Sequence, residues 1–323
     1  MLSQISVRDR IINGILVLIK RDRDGDRIEL SLIRNLIKIF IELGIYSTHM
    51  EARIIESTRD HYARFVATKI GEIENGGSGS QVAAYLLQVE NYFAMEVDRC
   101  SSTGYVNGCS KRQILNVLDE ICLKKNTKIL LDRGFVGLVN GGQDNQGEKE
   151  DLNRMYRVFA RVGDLPMLRQ TFSEYVKTHG AELVVHPERD LDMVKDLLNF
   201  YSKLLAIITS SFESSSDFIT TLRDSFGAFV NRRTNVPARL IAKHIDGLLK
   251  QTKISDVEVE EQLDKCLTLF RFVQGKDVFE GFYKDALAKR LLLGKSANLD
   301  SEKSMLLKLK AGALDFLLFS CRK

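Results

Sequence analysis

The chain has 323 residues, 47 Lys and Arg against 43 Asp and Glu, a formal net charge of +4, and a 44% hydrophobic share. So balanced a charge does not make nucleic acid the default partner, and the apolar content is that of a folded protein rather than a disordered one. The length suffices for two or three packed units or for one array of helices.

Three prolines, no tryptophan and many Leu, Ile, Lys, Arg and Glu residues favour long helices over sheet. At the N-terminus an apolar run from Ile11 to Ile19, broken by Asn13 and Gly14, leads into a cluster of Lys and Arg. It reads as an amphipathic helix and a charged turn, not a secretion signal. Helical periodicity places helices at about 5–20, 30–43, 48–74, 80–99, 111–125, 150–160, 165–179, 190–212, 215–231, 237–250, 256–273, 276–293 and 301–310, with no convincing strand. Turn residues mark the breaks: Asp24-Gly25, the Asn75 to Ser80 stretch, Ser101 to Gly108, and Asn140-Gly141-Gly142 with Gly147 in a polar loop. Pro237 fits the first turn of a helix starting near Asn235. Gly294 suits a left-handed helix end, and Asp300 is the expected N-cap of the last helix, with Glu302 in its first turn. The longest apolar core patch, Leu204 to Ile208, falls far short of a membrane span, so no membrane is expected.

Candidate chemistry fails position by position. Asp22-Arg23-Asp24-Gly25-Asp26 suggests a calcium loop, but that loop needs Gly and then Glu where this chain has Arg27 and Ile33, which leaves a solvated turn. The Gly142 to Lys149 stretch puts Glu148 where a phosphate-binding lysine belongs and follows no strand. Gly77-Ser78-Gly79 lacks the third glycine of a dinucleotide fingerprint. His49, His61, His179, His186 and His244 are isolated, and Cys100, Cys109, Cys122, Cys266 and Cys321 form an odd, widely spaced set without Cys-x-x-Cys. Zinc ligation is therefore not expected. Free thiols in a reducing, intracellular compartment are. No catalytic residue, metal or cofactor is assigned.

The most patterned stretch is Phe270 to Lys310. Phe279, Phe282, Ala286 and either Leu287 or Leu293 recur at helical steps and share a stripe expected to be buried, while Lys284, Asp285, Lys289 and Arg290 lie largely off it. The bases Lys284, Lys289, Arg290, Lys295, Lys303, Lys308 and Lys310 are interleaved with Asp277, Glu280, Asp285, Asp300 and Glu302 and carry no aromatic stacking platform. That argues for a solvated face or one contacting an acidic partner protein rather than nucleic acid.

The run Phe270-Arg271-Phe272, Lys276-Asp277-Val278-Phe279-Glu280, Phe282-Tyr283, Leu287 to Leu292, Lys295-Ser296 and Ser301 to Met305 resembles the characteristic segment of the cullin family. Its wording at Gly275 to Glu280 and Leu293 to Ala297 looks most like the cullin-4 branch, with cullin-3 next. Weaker similarity upstream includes Ile15-Leu16, Arg21, Arg23, Gly25, Met155-Tyr156, Phe159 to Val162, Tyr175, Gly180 and Phe229-Val230-Asn231.

The resemblance implies an all-α fold, an elongated stalk of stacked cullin-type helical repeats leading into a partial helical bundle. Residues 1–100 would be most of a second repeat, 101–234 a third, and 235–323 the start of the bundle with a divergent tail. It further implies a non-catalytic scaffold of a cullin-RING ubiquitin ligase in the cytoplasm, the nucleus or both. The partners would be a RING-finger protein, an adaptor with its substrate receptor, and cullin regulators. Phe272, Val278, Phe279, Phe282, Tyr283, Leu287 and Leu291 become signature packing residues, and Lys289, Arg290 and Lys295 candidate partner contacts. The family's first repeat, which grips the adaptor, the sheet that embraces the RING protein, and the winged-helix region find no counterpart in this sequence, so the main adaptor and RING contact regions are expected to be missing. The family pattern is also lost after Lys310, where Leu314 to Phe319 form an apolar tail expected to be sticky. The alternative expectation is a truncated cullin-like interaction protein without ligase competence.

Overall fold

Every regular element among the described residues is a helix. The computed structural model describes residues 7–141, 146–251 and 255–320, with no account of the side chains at 146, 148 and 311–320. The helices are α1 Val7–Arg23, α2 Leu30–Glu42, α3 Tyr46–His49, α4 Glu51–Glu74, α5 Gly79–Arg99, α6 Lys111–Leu118, α7 Thr127–Gly141 and α8 Gln146–Val162. They continue as α9 Leu165–Val185, α10 Met193–Ser211, α11 Ser216–Val230, α12 Val236–Leu249, α13 Asp256–Phe272, α14 Lys276–Leu292 and α15 Leu299–Ser320. A π-helical stretch, Asp119–Lys124, extends α6, and single 3-10 turns occupy Gly108–Ser110 and Pro187–Arg189.

The chain divides into two compact units, Met1–Thr171 and Phe172–Lys323, the division falling within α9. In the first, α4 packs against α1, α6 and α7, and α5 against α6, α7 and α8. Its core takes one stripe from each helix, including Ile12, Ile15 and Ile19 of α1 and Tyr62, Val66 and Ile70 of α4. In the second, α12 packs against α14, α13 and α10, and α13 against α11 and α15. Here the core is aromatic: Phe172, Phe212 and Phe218 lie with ring centres 4.7–6.1 Å apart, and Phe226 meets Phe229 at 4.8 Å with the rings tilted by 57°, within the range of favourable aromatic contact.

Local sequence sets several helix ends. Ser255 and Glu258 form a reciprocal capping box at α13, with Glu258 N donating to Ser255 Oγ and Ser255 N to Glu258 Oε2, both at 3.3 Å. Asn235 at φ +65° turns the chain into α12 ahead of Pro237. Gly294 closes α14 at φ +60°. The cap of α15 is Asn298, not Asp300: Asn298 Oδ1 accepts from Asp300 N at 2.8 Å, which places Asp300 inside the first turn.

Helix α7 is the main addition to the sequence expectation, which left the stretch between 125 and 150 without a helix. Its glycines weaken the helical signal, but packing requires them. A Cβ on Gly137 would stand 3.1 Å from Gly79 Cα of α5, and one on Gly134 would stand 2.6 Å from Cγ1 of the buried Val82. The two helices approach at backbone contact there. Gly134→Ala is therefore expected to destabilise the protein by about 1–3 kcal/mol despite alanine's higher helix propensity, read as a lower urea midpoint at unchanged slope. Elsewhere the expected 48–74 helix is two, α3 and α4, separated at Met50, and the expected 301–310 helix runs from Leu299 to Ser320. The Gly142 to Lys149 stretch lies partly outside the described residues, as do the apolar side chains of the tail.

Candidate functional site

The signature segment folds around two packed rings and one buried cation. On α14 the core-facing side chains are Phe279, Tyr283 and Arg290, with Ala286 and Leu287 half-buried between them. Phe279 lies 4.4 Å from Phe270 of α13 and 5.8 Å from Tyr283, ring centre to ring centre. Phe272 is half-buried against Phe226 and Tyr201, at 5.5 and 5.8 Å. Val278 is also half-buried, whereas Phe282, Leu291 and Leu293 are exposed. The buried stripe therefore runs through Tyr283 and Arg290 rather than through Phe282, a rotation of one residue from the expected stripe.

Arg290 corrects the expectation of a partner contact. Its side chain is 0% exposed. Nε and Nη2 donate to the two carboxylate oxygens of Glu302 on α15 at 2.6 and 2.9 Å, and Nη1 donates to Asp246 of α12 at 2.6 Å. Ser296 Oγ donates to the same Glu302 at 2.9 Å, and Lys250 Nζ to Asp246 at 2.6 Å. One guanidinium thus ties three helices through a planar fork that lysine could not reproduce. Partial burial alone would raise the Asp246 carboxyl, but Lys250 and Arg290 outweigh it and hold the carboxyl below the usual range. A second tie joins α13 to α15, where Lys308 Nζ reaches Glu260 at 2.6 Å and Asp264 at 2.7 Å.

Lys289 and Lys295, the other two candidate contacts, are exposed. Lys289 borders a groove of about 890 Å³ between α12, α14 and the turn before α10, whose other lining residues include Leu191, Arg239, Lys243, Phe282 and Asp285. Arg239 and Lys243 lie one turn apart on the exposed side of α12, and the groove sets these and other basic side chains among Asp190, Asp246 and Asp285.

A comparable buried network stands in the first unit, where the sequence suggested a solvated turn. Arg23 donates through Nε and Nη2 to Glu96 of α5 at 2.8 and 3.1 Å, and through Nη2 to Thr58 of α4 at 2.8 Å. Glu96 also accepts from Tyr62 Oη at 2.7 Å and Arg99 Nη1 at 3.0 Å. Asp22 accepts from Arg99 Nε at 2.6 Å and Tyr105 Oη at 2.8 Å. Arg23, Thr58, Tyr62 and Glu96 are all buried. Burial would raise the Glu96 carboxyl, yet Arg23, then Arg99 and the Tyr62 hydroxyl, keep it below its ordinary value. Of the three aspartates in this stretch, only Asp24 and Asp26 stay exposed, and Asp26 is paired with Arg21 at 3.0 Å.

Burial pushes the thiols of Cys122 and Cys266 up to about 12 and that of Cys100 up to about 11, which keeps them protonated and unreactive at neutral pH. Cys100, Cys109, Cys122 and Cys266 are free, and Cys321 lies outside the described residues. Among the described residues no group of three or more His, Cys, Asp or Glu side chains is placed to hold a metal ion, and no helix is long and apolar enough to cross a membrane.

Residues 1–314 match the family described as the Cullin alpha solenoid domain. The chain belongs to the cullin family. This cullin is 38% identical over 312 residues to Cullin-4A of Mus musculus, an alignment covering 96% of this chain and 39% of that protein. It is 35% identical over 309 residues to Cullin-4 of Dictyostelium discoideum, covering 95% and 37% respectively. Against Cullin-3 of the same organism the identity is 31% over 316 residues, covering 94% and 40%. The chain spans about two fifths of the length of these relatives.

The sequence did hold a signal for both of this cullin's networks. Glu96 continues the buried series Val82, Leu86, Val89 and Phe93 at steps of four and three, and Arg290 sits seven residues beyond Tyr283. A charged residue on an apolar stripe announces a buried partner. Which partner it takes is a tertiary fact.

Proposed function

We propose that this chain is a non-catalytic scaffold component of a cullin-RING E3 ubiquitin ligase, of cullin-4-like type, working in ubiquitin-dependent protein breakdown in the cytoplasm, the nucleus or both. The observation that carries the reading is the cullin family match over residues 1–314. It is supported by the way the signature side chains Phe279, Tyr283 and Arg290 are spent on holding helices together. A scaffold of this kind raises reaction rate by holding a substrate receptor and a RING-bound conjugating enzyme at high effective concentration and in a fixed orientation. On this reading residues 1–100 and 101–234 are successive cullin repeats and 235–323 begin a helical bundle. The cullin-4 leaning rests on identities of 38% and 35% to the proteins named Cullin-4A and Cullin-4, against 31% to 33% to those named Cullin-3, Cullin-3A and Cullin-3B. Lys289 and Lys295 are the side chains we assign to partner-protein contact.

The alternative is a cullin-like helical interaction protein without ligase competence. Capture assays with a purified RING-finger protein and a cullin adaptor, followed by ubiquitin transfer to a receptor-bound substrate, separate the two. Capture of both with transfer supports the scaffold reading. Capture of neither would overturn the scaffold reading and leave the interaction protein.

A further inference from the structure

We draw no further inference here: the strongest candidate, the groove between α12, α14 and the turn before α10, mixes Arg239, Lys243 and Lys289 with Asp190, Asp246 and Asp285, and nothing in the structure shows what covers it.

Discussion

Arg290→Ala is expected to lower the unfolding free energy by about 3–5 kcal/mol, because it leaves Glu302, itself buried, and the partly buried Asp246 without their shared counter-charge. Arg290→Lys should lie between the two, since one ammonium cannot serve both carboxylates in the same geometry. Lys289→Ala, one residue away and exposed, is expected to change stability by less than about 0.5 kcal/mol. Urea titrations of the three variants provide the comparison. Similar small losses at both positions would mean that Arg290 is a surface residue after all. The contrast is informative because sequence places Lys289 and Arg290 side by side in one basic run, while the helix turns one outward and the other into the junction of α12, α14 and α15.

Glu96→Gln is expected to be the most damaging isosteric change in the first unit, costing about 3–5 kcal/mol near neutral pH, because it leaves the buried Arg23 without its counter-charge and removes one of the two carboxylates that Arg99 pairs with. The same site predicts a pH signature. The Glu96 carboxyl titrates below its ordinary value of 4.5 when folded, so the unfolded chain binds the proton first. Its stabilisation is complete above that ordinary value and is lost as pH falls through the lower folded value. The wild type should therefore lose stability more steeply than Glu96→Gln as pH falls from about 5 through the lowered folded value, and the two curves should converge in stronger acid. Parallel curves across that interval would remove Glu96 from the explanation of acid sensitivity.

Much of this fold can be read from residues alone, and the reasons are local. Periodic apolar positions, the Ser255 and Glu258 pair, Pro237 and Gly294 each act within a turn or two of chain, which a linear reading captures. Helix α7 escaped because Gly134 and Gly137 read as breakers until the contact with Val82 and Gly79 explains them. The junction around Arg290 was half legible. The family-like run is readable in the sequence, but the choice between Phe282 and Tyr283 as the inward ring depends on where α12 and α15 lie. Arg23 and Glu96 are separated by 73 positions, and no local pattern pairs them. Long-range charge pairing is the least readable part of such a chain, since it leaves in sequence only the oddity of a charged residue on an oily stripe.

Buried pairs of this kind also bear on how the chain finds its own arrangement. A protein made of many similar amphipathic rods risks joining the wrong neighbours during folding, because one leucine-lined face accepts another with little discrimination. A glutamate brought into hydrocarbon opposite no arginine is penalised heavily, as is an arginine opposite none. Arg23 with Glu96 therefore acts as a lock that only α1 and α5 in the right offset can close, and Arg290 with Asp246 and Glu302 does the same for three rods at once. Such keys reject mismatched assemblies even where they add little to the strength of the correct one.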